Sequence, residues 1–198
     1  MTSLLRFVAA AGIVLCVGTL AFAPAGADPD PQAPATPPVP EYCEISLADG
    51  IAGGVVGQTD AGVRVSLGGT AKAGFGVGLK RTVTDAEGRW EEMLAGTISP
   101  EETAALVDAI AGLWKLPVED PKGGEDVYGL ATMVQVRVNQ ADGLHEWKNS
   151  FPNGCTPGAG PSQVKPTDEE KKVFRAVVAR IKETVTKHAT EVKSRMKK

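Results

Sequence analysis

Apolar and polar residues alternate in several short runs of the chain. Val77, Leu79 and Val83 share one face of a run that Arg81 interrupts, and Val134, Val136 and Val138 share a face in a second run. A period of two marks a strand with one buried side. Both runs lead into similar turns. Thr84 to Glu92 reads TDAEGRWEE and Asn139 to Trp147 reads NQADGLHEW, each with an acid, then Gly, then Glu three residues later. Glycine supplies the positive φ that a tight hairpin needs. Two more strands are predicted, over Cys43 to Leu47 and Val63 to Leu67.

A longer period takes over after each hairpin. Ser99-Pro-Glu-Glu102 and Thr167-Asp-Glu-Glu170 have the form of capping boxes, with Pro100 at a position where its missing N–H costs nothing. Counted from these caps, Leu106, Ile110 and Leu113 match Phe174, Val178 and Ile181 in register, and both triplets form a helical stripe. Helices are predicted from Pro100 to Lys115 and from Asp168 to at least Val185. The fold class expected is therefore α+β: a mostly antiparallel sheet with two helices packed on one face, built as a duplicated ββα unit. The turn glycines lie 55 residues apart but the caps 68 apart, so the second unit carries an insertion around Asn149 to Pro166.

The ends of the chain add a location. Residues 1–27 read as a signal peptide, with Arg6, an apolar run and Ala25-Gly26-Ala27 before Asp28. Retention as an anchor is the competing reading; after cleavage no integral membrane span is expected. Residues 28–42 form a Pro-rich tether that cannot join a sheet interior. A single domain is assigned to 43–185, and 186–198 is read as a basic tail, a frayed and solvated helix end. Export leaves Cys43 and Cys155, which in an oxidising compartment point to one disulfide tying the start of the domain to the inserted loop.

Charge and motifs then narrow the chemistry. Without its leader the chain has 20 basic and 24 acidic side chains, a balance that argues against nucleic acid as a partner. The glycine-rich stretch Gly68 to Lys80 fits neither phosphate-loop nor dinucleotide spacing, and is read as a bend between strands. The acidic loop from Pro117 to Gly129 lacks the order of ligands a calcium loop requires. No cofactor, catalytic residue or metal ligand is assigned. His145 is placed on the same strand face as Trp147, and His188 in the solvated tail. Trp147 is the tryptophan expected to be exposed. With Phe151 and Asn153 it forms the candidate binding surface.

The turn Asp85-Ala-Glu-Gly88, the helix entry Gly96-Thr-Ile-Ser-Pro-Glu-Glu102 with Leu106, and Asp142-Gly143 resemble a loose group of exported bacterial domains of unknown function arranged hairpin–helix–hairpin–helix. That resemblance spans Val63 to Val185 and implies no catalytic residue. The expectation is an exported, periplasmic or extracellular, non-catalytic interaction module whose partner is an exported protein or a cell-envelope component, and whose action on that protein is inhibitory. The alternative is a secreted hydrolase with an active site near His145.

Overall fold

The structure, a computed structural model, describes residues 36–50, 62–117, 128, 132–149 and 164–197. In chain order the elements are β1 (Tyr42–Asp49), β2 (Val63–Thr70), β3 (Gly74–Asp85), β4 (Gly88–Ile98), α1 (Pro100–Ala109), a 3-10 turn (Ala111–Lys115), β5 (Met133–Gln140), β6 (Gly143–Lys148), α2 (Asp168–His188) and β7 (Glu191–Lys197). The signal-peptide assignment lies outside the described residues, as do residues 118–127 and 129 of the acidic loop and residues 150–163.

All seven strands form one sheet, ordered β6-β5-β1-β2-β3-β4-β7, and every neighbouring pair is antiparallel. The alternation read from sequence sets the sidedness. Cys43, Ile45 and Leu47 on β1, Phe75, Val77 and Leu79 on β3, and Val134, Val136 and Val138 on β5 are all buried. These side chains join one apolar cluster with both helical stripes, Leu106, Ile110 and Leu113 and Phe174, Val178 and Ile181. Tyr128, stacked on Phe174 at a centroid distance of 4.4 Å, fills the same cluster.

The glycine-rich stretch is a hairpin: β2 turns at residues 71–73 into β3. Gly69, at φ 154°, lies so close to its hairpin partner that a Cβ would fall 2.1 Å from the Gly74 carbonyl oxygen. The bend reading holds, and at Gly69 the glycine serves close backbone approach.

Both helix starts carry the N-cap hydroxyl the sequence implied, and the full capping box is formed at the second. Ser99 Oγ accepts from the Glu102 amide at 3.1 Å. Thr167 and Glu170 form the full reciprocal box, at 3.2 and 2.7 Å. The first helix differs from expectation. It leaves α geometry at Ile110 and continues as the 3-10 turn. Tighter winding places Leu113 directly over Ile110, three residues earlier, and both side chains are fully buried. Gly112 permits this, since a Cβ there would meet Val173 Cγ1 of α2 at 3.0 Å.

The C-terminal segment corrects the sequence reading. Residues 186–188 complete α2, and 191–197 are strand, pairing with β4 at the edge of the sheet. Tyr42, assigned to the tether, belongs to β1. The folded unit thus runs past 43–185 at both ends. Among the described residues no helix is long and apolar enough to cross a membrane.

Candidate functional site

Sequence placed the candidate binding surface at Trp147, Phe151 and Asn153. Trp147 corrects that assignment: it is 3% exposed. Its indole Nε1 donates to the Leu116 carbonyl at 3.3 Å, and its ring lies 5.8 Å from that of Phe174. It faces inward because β6 pairs Trp147 with the buried Val136. Phe151 and Asn153 lie outside the described residues.

Cys43 is fully buried on β1 and forms no disulfide among the described residues. Burial, and secondarily the Glu44 carboxylate, pushes its thiol up to about 12. Cys155 lies outside the described residues.

His145 shares its strand face with Trp147, as read from sequence, and packs against Trp114 at a ring distance of 5.6 Å. Its Nε2 lies 3.0 Å from Asp142 Oδ1, and that hydrogen bond first of all holds the Asp142 carboxyl below its usual range. Among the described residues the hydrogen-bond partner of His145 is the Asp142 carboxylate, and none is a hydroxyl or thiol. No group of three or more metal-ligating side chains occurs among the described residues.

Three carboxylates instead tie distant elements together. Asp49 accepts from Lys182 Nζ of α2 and from Thr132 Oγ1, both at 2.6 Å. Burial alone would raise its carboxyl; these two partners more than offset that and leave it below the usual value. Glu102 accepts from Lys187 Nζ at 2.8 Å, which with His188 keeps it low. His188 is therefore not in a solvated tail. Its side chain is 17% exposed and its Nε2 lies 3.2 Å from Glu102 Oε1, without hydrogen-bond alignment.

The third cluster joins the β3–β4 hairpin to β7. Asp85 sits at the turn, where Oδ1 accepts from the Glu87 amide at 2.9 Å and from Trp90 Nε1 at 3.0 Å. The indole hydrogen bond is the foremost reason its carboxyl is held low. Its other oxygen accepts from Arg195 Nη2 of β7. Glu92 is shared: Arg81 donates to it at 3.1 Å, and Arg195 Nε lies 3.4 Å away. The Arg195 guanidinium carbon stands 4.5 Å from the Trp90 ring centroid, and Lys197 Nζ stands 5.7 Å from it. Both distances are within reach of cation–π attraction.

Strand register explains the convergence. Arg81 faces Glu92, Val83 faces Trp90, Trp90 faces Lys197 and Glu92 faces Arg195, so all six share one side of the sheet. The sequence carried two signals for this cluster. Apolar alternation in β3 stops at Arg81, and Lys193, Arg195 and Lys197 alternate with Val192, Ser194 and Met196. The second pattern is a strand period in a segment read as a helix end.

No family profile matches the chain, and neither a curated protein nor a solved structure matches it.

Proposed function

We propose that this chain is an exported, non-catalytic interaction module, built as a duplicated ββα arrangement with both helices on one face of the sheet. The observation that carries the reading is how its perturbed acids are used. Asp49, Asp85 and Glu102 each lie below the usual carboxyl range and each pair with a cation from an element distant in sequence, Asp85 being held low first by the Trp90 indole. A general acid or base works best with a pKa near the operating pH, and lowering a carboxyl moves it the other way. These groups stitch the fold and leave its surfaces to recognition. The shared apolar cluster of both helical stripes supports the same-face arrangement. A Cys43–Cys155 disulfide and inhibition of an exported protein belong to the same reading.

Crosslinking and affinity capture with the tagged mature chain, from the exported fraction of its own organism, tests it. One dominant protein partner, lost when Phe151 and Asn153 are changed to alanine, is the expected result. Turnover of an ester, peptide or glycoside by the pure chain, abolished in His145→Ala, would replace the module with a hydrolase.

A further inference from the structure

We propose that the outer edge of β4 is a strand-acceptor site for an extended cationic peptide, and that β7 is the chain's own occupant of that site. The inference deepens the interaction-module reading and rests on it.

The first support is how little β7 buries. Val192 is 56% exposed and Met196 52%, and Ser194 alone in the strand is half-buried. An element with so few buried apolar contacts opens at low free energy compared with the core. The Arg195–Asp85 pair, 41% and 40% exposed, adds typically about 0–1 kcal/mol to its hold.

The second support is that the acceptor stands ready without β7. Asp85 is fixed by the Glu87 amide and the Trp90 indole, and Glu92 by Arg81. Two carboxylates and an indole face are thus aimed at positions where an incoming strand places its side chains. Preorganised groups of this kind lower the cost of binding. The charge and ring chemistry select a guanidinium between the two acids, with a second cation two residues on over the indole.

The third support is the break in register. Pairing passes from Met93–Ser194 to Leu94–Val192, which leaves Lys193 bulged. The stretch read by the cluster is therefore short, Ser194 to Lys197. A partner needs an extended segment with Arg, one intervening residue, then Lys. Ladder hydrogen bonds supply affinity and the two cations supply specificity, as in strand addition to a sheet edge.

The test is a fluorescence-anisotropy titration of the full mature chain with a labelled peptide of the sequence EVKSRMKK, residues 191–198. In the wild-type chain β7 competes, so apparent affinity is reduced by the fraction of open edge. Arg195→Gln in the chain weakens that competitor, and the peptide is expected to bind this variant about tenfold or more tighter than wild type. Adding Glu92→Gln or Trp90→Ala to the acceptor should remove the gain, as should a peptide carrying R195Q and K197Q. Far-UV circular dichroism and melting confirm that each variant is folded. Equal or absent binding to wild type and Arg195→Gln, with both folded, would overturn the proposal. A concentration-dependent dimer that excludes the peptide would also overturn it, because a second copy would then be the occupant. Because the titration reads acceptor chemistry alone, its failure leaves the capture test of the broader reading intact.

Discussion

Replacing Gly96 with alanine tests the packing of α2 on the sheet. Gly96 lies on β4 opposite Val77. A Cβ built there would sit 1.9 Å from the His188 carbonyl oxygen, 2.9 Å from its carbon and 3.4 Å from Ala189 Cα. The obstacle is backbone at the C-terminal end of α2, so no side-chain rotation relieves it. The helix end must move by about 1 Å, or β4 must bow by as much, and overpacking of this kind costs about 3 kcal/mol. For a domain of this size that lowers the melting temperature by about 6–12 °C. Gly76→Ala is the matched control. It lies in β3 with its nearest would-be contacts at 3.9 Å and no positive φ. Removing glycine's unfolded-state freedom there should leave stability unchanged or raise it by about 0.4–1 kcal/mol. Thermal unfolding followed by circular dichroism reads both variants. The close approach of α2 to β4 would be refuted if Gly96→Ala melted no lower than Gly76→Ala. Hydrogen exchange adds a local check: amides of β7, which leaves the displaced helix end directly, should exchange faster in Gly96→Ala than in the control.

Trp147→Ala opens a void beside Tyr128 and Phe174 and should cost about 3–5 kcal/mol, visible as a lower denaturant midpoint; a surface tryptophan would cost far less. Asp49 has a carboxyl below its usual value, so the stability it adds is present above about pH 4 and drains as pH falls below that. Asp49→Asn should therefore flatten the acid side of the stability curve while weakening the chain modestly, by about 1 kcal/mol or less, at pH 7. As a reduced thiol, Cys43 should resist iodoacetamide at pH 8 until the chain unfolds, because burial raises it to about 12. That raised value favours the fold below about pH 8.5 and is lost as pH climbs towards 12. Intact-mass measurement of the chain isolated from its own organism, with and without reductant, decides whether Cys43 is instead bridged to Cys155, by a loss of about 2 Da.

Strands and caps were legible because each rests on a local rule. Val134, Val136 and Val138 alternate whatever their partners, and Thr167 caps α2 from four residues away at most. Trp147 was misplaced because its surroundings come from elsewhere in the chain. Only pairing with Val136 and contact with Leu116 and Phe174 turn it inward. The β4–β7 cluster was missed for a related reason. Asp85 and Arg195 are brought together by sheet order, which no short window contains. The break at Arg81 gave half of that site and the basic alternation after Val192 the other half, but nothing local joined them. The 3-10 turn after Ile110 brings Gly112 so near α2 that a Cβ there would meet Val173 Cγ1 at 3.0 Å, a closeness across the fold that no local window carries.

The place of β1 has a kinetic consequence. It lies inside the sheet, with β2 on one side and β5 on the other, and Ile45 pairs with both Leu67 and Val136. The earliest strand to emerge during synthesis waits for β5 before its second ladder can close. Non-local pairing of this kind slows folding, because loop-closure entropy is spent before the contacts repay it. A nascent chain would carry its β1–β4 meander with one flank of β1 unpaired until residue 140 has appeared. Delayed closure of the central ladder therefore keeps the chain from locking into its fold until its second half has been made.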